Sequence, residues 1–275
     1  MIIDGHAHAC GPFLKGEEIV KTLAETRVDK VVLVPGELDS LRTYGLPDLA
    51  ERFPKRDVVR LTNALTKVMI SLTGKAADIP EGNQRVYALA QVYPEQIIQF
   101  YWVLLQKPDA VQEMKERFAE WKFKGIKLHQ CWDAFHIGSK PFVQVAEFAA
   151  EMDLPIFIHA GNYKEVAALI DHSERHPATK FIVGHLFGLE LYLQSKSKFE
   201  NLFFEISNTY LVSTCSVNKA IDCFGAHKII LGSDTPYGRN SLQLNIDRVK
   251  MLPISEEAKE MILGKNMQML LQLTS

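Results

Sequence analysis

The chain has 275 residues and a formal net charge of −2. That length suits a single α/β barrel domain over residues 1–275, and the absence of Lys/Arg runs argues against a nucleic-acid partner. At 47% hydrophobic and 23% charged residues, such a chain buries a large core without disulfides or structural metals, so its nine histidines are free for chemistry.

The opening MIIDGHAHACG has neither a basic start nor a long apolar run, and no stretch of about 18 apolar residues follows. A cytoplasmic protein without a membrane segment is expected. Cys10, Cys131, Cys215 and Cys223 form no C-x-x-C pair and read as free buried thiols, with Cys215 and Cys223 as small core residues on one helix face.

Short apolar runs alternate with amphipathic stretches. Strands are expected at residues 2–6, 30–34 (KVVLV), 97–105 (IIQFYWVLL), 125–129 (GIKLH), 155–159 (PIFIH), 180–185 (KFIVGH), 201–206 (NLFFEI) and 228–231 (KIIL). Helices fall between them, at 17–26, 141–152, 164–175 and 216–224, with another carrying Val111, Met114, Phe118 and Trp121 on one stripe. Near-continuous apolar strands suit a sheet covered on both faces. A βα repeat of this length favours a closed (β/α)₈ TIM barrel, with an open doubly wound sheet as the alternative.

Residues 38–82 break the repeat. They carry a helical stripe of Val58, Leu61, Leu65, Val68 or Met69, and Leu72. An insertion after strand two lies at the C-terminal mouth of a barrel. It reads as a lid, a homodimer contact or an extra helix on the same barrel.

The histidines cluster at strand ends. His6 and His8 form an H-x-H on one side of strand one. His159 ends strand five, His185 ends strand six, and Asp234 follows strand eight within GSDTPYG. A lone histidine there is most often structural, and a lone Asp is often a helix cap. Five together in one barrel converge on the mouth as imidazoles and a carboxylate, donors that suit zinc, and also manganese or iron. Lys127 and His129 share one face of strand four, Lys127 a layer deeper, where it needs a partner such as Asp4 or carboxylation as a metal bridge. Glu205 faces the site or the outside. His136, His172, His176 and His227 read as solvated.

The pieces IIDGHAHA, GIKLHQ, LPIFIHAG, FIVGHLFG, NLFFEIS and ILGSDTPYG span residues 2–238 in order. With them the chain resembles the amidohydrolase superfamily, in its amidohydrolase-2 (amidohydrolase-related) branch. The resemblance implies a distorted TIM barrel holding one divalent metal, usually zinc, on His6, His8, His159 and Asp234. It implies catalytic roles for Asp234 and His185, and places Lys127 where binuclear relatives carry a carboxylated lysine. Gln130-Cys131-Trp132 stands where many relatives have Pro, and the 38–82 insertion matches no family motif.

The expected activity is hydrolysis of a carbonyl (amide, lactone or ester) in a small substrate by metal-activated water. Asp234 would move the proton, and Lys127, His129 or Arg239 would hold a substrate carboxylate. The alternative is a non-oxidative decarboxylase of a small aromatic or unsaturated acid, which the same branch includes and the same ligands serve. A TatD-type nuclease ranks lower, because strand four offers Lys127 and His129 in place of a glutamate. A non-catalytic barrel ranks lower still against the intact ligand set.

Overall fold

Along each strand the side chains alternate between two apolar layers. On the computed structural model, which describes residues 1–73, 78–195 and 199–273, Val31, Leu33, Ile126, Leu128, Ile156 and Ile158 face the helices. Val32, Val34, Phe157, Ile182, Phe203 and Ile230 face the interior of the sheet. Residues two apart share a face, so one parity builds the sheet–helix core and the other fills the barrel.

The eight strands are β1 (Ile3–His8), β2 (Lys30–Val34), β3 (Ile97–Trp102), β4 (Gly125–His129), β5 (Ile156–His159), β6 (Phe181–Val183), β7 (Leu202–Glu205) and β8 (Ile229–Ile230). They pair in parallel and in chain order. The chain closes the ring beyond β8, where Gly5 N–H donates to Leu231 O at 2.9 Å, Asp234 N–H to His6 O at 2.8 Å and His8 N–H to Thr235 O at 2.8 Å. This is a (β/α)₈ TIM barrel. It is distorted along β1, where the β1–β2 register shifts between Asp4 and Ala7. Met267 and Leu270 at the C-terminus pack with Ile3 and Ile230 in the interior layer.

Most elements fall where the pattern places them, but several ends differ. β1 runs on through His8 and β3 stops at Trp102. β6 stops at Val183, and His185 sits in a turn with φ 58 and ψ 27. β8 is two residues long.

The outer helices include α1 (Gly16–Thr26). The insertion supplies α2 (Leu49–Arg52) and α3 (Val58–Thr73), and α4 (Ile79–Val92) leads into β3. α3 lies on the mouth of its own barrel. Gly188 N–H donates to Asp57 at 3.0 Å, and Lys67 Nζ donates to Gly161 O at 3.0 Å. The expected stripe does not form a buried face. Val58 is buried with Val59, whereas Leu61, Leu65 and Val68 are each more than half exposed. The face turned to the barrel is carried by Val59 and the polar Asn63 instead. The side chains of Met69 and Leu72 lie outside the described residues.

α5 (Ala110–Trp121), α6 (Lys140–Glu151), α7 (Tyr163–Arg175), α8 (Leu189–Gln194) and α9 (Thr214–Phe224) follow β3 to β7 in turn, and α10 (Ser241–Met251), α11 (Glu256–Glu260) and α12 (Asn266–Leu270) end the chain. Cys215 and Cys223 on α9 are exposed, not core, because the buried face of that helix is taken by Val217 and Ala220. Cys10 and Cys131 are buried as expected.

Candidate metal centre

The closing seam places the first cluster. β1 carries His6 and His8 to the mouth, and the hydrogen bond from Asp234 N–H to His6 O holds the Asp234 carboxylate above them. Asp234 Oδ1 lies 3.5 Å from His8 Nε2 and 3.8 Å from His6 Nδ1. Glu205 joins from β7. It shares the parity of Phe203 and so faces inward, where Oε2 lies 3.9 Å from His6 Nδ1 and 3.8 Å from His185 Nδ1. Sequence parity alone left that side chain open, and the inward placing of Phe203 settles it. Asp234 and His185 both have left-handed backbone, φ 57 and 58, a cost for non-glycine residues that is commonly tolerated at functional sites.

Carbonyl partners identify the imidazole protons, since a carbonyl oxygen can only accept. His8 Nδ1–H donates to Pro35 O at 2.7 Å, leaving its Nε2 lone pair beside Asp234. His185 Nδ1–H donates to Ser207 O at 2.8 Å, which leaves Nε2 as an acceptor. Such backbone bonds orient metal-binding and proton-handling histidines. His6 Nε2 meets Lys127 Nζ at 2.9 Å. Its Nδ1 is buried without a hydrogen-bond partner, between the two carboxylates.

An orphaned imidazole nitrogen facing two carboxylates in a dry site suits a cation, because the donors are imidazole and carboxylate and the negative charge needs neutralising. His6, His8 and Asp234 form one set whose ligand atoms lie within 4.8 Å of one another, His6, His185 and Glu205 form a second, and His129, Cys131 and His159, which bring no carboxylate, form a third on the opposite wall. Burial pushes the Glu205 carboxyl above its ordinary range. Burial, and then the nearby Lys127, holds His6 well below the usual imidazole value. Lys127 is itself lowered to about 7 by burial, against the opposing pull of Asp234 and Glu205. Lys127 is partnered by His6 and not by Asp4. The Asp4 carboxylate instead accepts from Ser233 N–H at 2.8 Å, and burial raises it to about 7.

The opposite wall is neutral. His129 and His159 stack with centroids 3.9 Å apart, and Trp102 stacks on the other face of His129 at 5.4 Å. The Asn83 amide pairs with both backbone groups of Trp102, each at 2.9 Å. His159 is at the mouth, 4.8 Å from the His185 ring, but it stands outside the His6–His8–Asp234 set. Its Nε2 meets Asn63 Oδ1 at 2.6 Å. Burial holds both His129 and His159 well below the ordinary imidazole range.

Gln130, where the family pattern departs, ties the two strand ends together. Its Oε1 accepts from Gly161 N–H at 2.8 Å and its Nε2 donates to Glu165 at 3.1 Å. Arg239 is exposed, its Nε close to Gly45, and no hydrogen bond joins its guanidinium to these groups among the described residues. His136 and His227 are exposed, whereas His172 is buried, contrary to expectation. A cavity of ≈ 120 Å³ between the insertion and the β6–β7 side is lined by Asp57, Val59, Tyr163, His185 and Leu211, and gives one approach to His185.

Sequence reading missed Asn63, Ser207 and Asn208. Asn208 Nδ2 donates to Asp234 Oδ2 at 3.3 Å. Asparagines in loops or an insertion carry no periodic signal, so nothing local distinguishes them.

A parallel eight-stranded barrel that pools imidazoles and carboxylates at its strand ends defines the class of divalent-metal TIM-barrel enzymes. The family model described as amidohydrolase (Amidohydro_2) matches residues 3–272, and the chain belongs to that family. No curated protein matches it in sequence.

Among solved structures, 5-carboxyvanillate decarboxylase LigW from Sphingomonas paucimobilis superposes with a TM-score of 0.70 at 12% identity, covering 99% of each chain. A dihydroxybenzoic acid decarboxylase from Polaromonas sp. JS666, with bound manganese and the inhibitor 2-nitroresorcinol, gives 0.70 at 17% identity, covering 99% of this chain and 97% of that one. 4-Oxalomesaconate hydratase LigJ from Rhodopseudomonas palustris gives 0.64 at 14% identity, with 99% and 96% covered. At these identities the likeness establishes the fold.

Proposed function

We propose that the protein is a divalent-metal-dependent decarboxylase of a small aromatic or unsaturated carboxylic acid. The observation that carries this reading is a proton-handling centre set among flat rings. Phe157 lies 4.2 Å from the His6 ring, Tyr237 meets His8 edge-on at 5.5 Å, and Trp102, His129 and His159 form a stack. Rings of this kind favour a planar substrate over an extended peptide-like one. The decarboxylases of the same fold support it. Hydrolysis, the first expectation from the sequence, rests on the family resemblance alone.

In this reading His6, His8 and Asp234 hold the ion, with Glu205 balancing its charge, and the donor set suits manganese or zinc. When bound, the ion supplies a Lewis acid for the oxygens of the substrate. Asp234, steadied by Asn208, would take a proton from water and deliver it to the carbon that loses its carboxyl group. The carbon–carbon bond breaks, CO₂ leaves, and the electron pair left on carbon takes that proton. His185 Nε2, its Nδ1–H committed to Ser207 O, accepts a hydrogen bond from a substrate hydroxyl.

The test is a panel of hydroxybenzoic and unsaturated acids, offered with manganese or zinc, with CO₂ measured directly and the product formed in D₂O examined for deuterium at the vacated carbon. CO₂ release with one deuterium incorporated is the expected result. Turnover of esters, lactones or amides with the acids inert would replace this reading by hydrolysis.

A further inference from the structure

The insertion reaches the site through one side chain. Asn63 on α3 is buried and uses both ends of its amide. Nδ2 donates to Ala160 O at 3.0 Å, and Oδ1 meets His159 Nε2 at 2.6 Å. A backbone carbonyl only accepts, so the NH₂ end of the amide must face Ala160. The oxygen therefore faces His159, and an amide oxygen likewise only accepts. It follows that His159 carries its proton on Nε2.

We propose that Asn63 is a positioning residue that fixes His159 as the Nε2–H form and withholds that nitrogen from any cation. The stack on His129, 3.9 Å and 9°, sets the plane of the ring, and Asn63 sets its proton. His159 can then reach an ion through Nδ1 alone, and Nε2 serves as a hydrogen-bond donor. The family pattern would instead assign His159 as a ligand like His6 and His8. Here α3 is anchored beside it by the bond from Lys67 Nζ to Gly161 O and by Asp57, which accepts from Tyr163 Oη at 3.2 Å and from Gly188 N–H. The insertion, and not the barrel alone, thereby decides the chemistry offered by the end of β5. This deepens the reading above by assigning a residue of the same site. Its test reads a proton position and not turnover, so its failure is separable from failure of the decarboxylase reading.

The experiment is long-range ¹H–¹⁵N correlation spectroscopy on full-length protein carrying ¹⁵N-histidine and loaded with diamagnetic zinc, with the His159 signals assigned by their loss in His159→Gln. The expected spectrum shows His159 protonated at Nε2 in the wild type. Asn63→Asp, whose carboxylate also accepts, retains that pattern, whereas Asn63→Leu loses it and gives mixed tautomers. Because the wild-type spectrum is itself diagnostic, a variant that fails to fold does not rescue the proposal. An unprotonated Nε2 in the zinc-loaded wild type would overturn it, and so would an unchanged tautomer in folded Asn63→Leu.

Discussion

The two walls of the mouth are built on opposite principles. The wall made by β1, β7 and the β8 seam gathers charge: Asp234 and Glu205 flank His6, whose Nδ1 has no hydrogen-bond partner. The wall made by β4, β5 and the insertion is neutral, with stacked rings and a histidine satisfied by an amide. A buried imidazole lone pair left without a partner between two carboxylates suits a cation that completes it, whereas His159 Nε2 already has the Asn63 amide as its partner. The first wall, which alone brings carboxylates, is therefore the better suited to hold an ion, and the second presents a stacked surface to substrate.

The largest expected effect breaks the charged wall. Asp234→Asn should lower turnover by about 10²–10⁴-fold, the usual loss for a proton-transfer group, and should also strip the metal. His159→Gln should keep its metal while losing turnover. Elemental analysis of the two variants side by side checks this, and equal metal loss in both would erase the distinction between the walls.

Next comes Glu205→Leu. Glu205 accepts from the backbone N–H groups of His185 and Ser207, and each buried donor left unmade costs about 1–3 kcal/mol. Urea unfolding should show a loss of about 4 kcal/mol. Gly232→Ala should destabilise through the same group, since an added Cβ would fall 2.0 Å from Glu205 Oε1, the oxygen that accepts from Ser207 N–H.

A smaller effect is expected one layer back. Buried Arg248 donates to the carbonyls of Val212 and Ile206 and to Asn245, fixing the chain that carries Ser207 and Asn208. Arg248→Met should cost about 2 kcal/mol in denaturant unfolding, since Val212 O loses its side-chain donor and Ile206 O keeps only Asn245 Nδ2 at 3.4 Å. It should weaken turnover through the charged wall while leaving the His129–His159 stack spectroscopically unchanged.

An effect confined to acid pH lies outside both walls. His172 is lowered to about 4, mainly by burial, with His176 and Arg175 adding to it. Below the ordinary imidazole value near 6.5 the unfolded chain binds a proton that the folded chain refuses. Stability therefore falls as pH drops from 6.5 towards 4, at no more than about 1.4 kcal/mol per pH unit. His172→Gln should flatten that part of the stability curve. A slope unchanged in the variant would assign it to other groups.

Much of this protein is legible in its sequence because the signals are local. Alternating apolar runs specify the strands, the βα order specifies a barrel, and His6, His8, His159, His185 and Asp234 each end an apolar run, so the topology alone sends them to one mouth. What a run of residues does not encode is the partner of each side chain. Parity could not aim Glu205 until the interior of β7 was known, and Lys127 finds His6 where a carboxylate such as Asp4, or carboxylation, was expected. Leu61, Leu65 and Val68 of the insertion point outward, while Asn63 points in and takes His159 as its partner. Such pairings are decided only in the tertiary structure, since they join residues 63 and 159, or 6 and 127, whose separation in the chain carries no record of their contact.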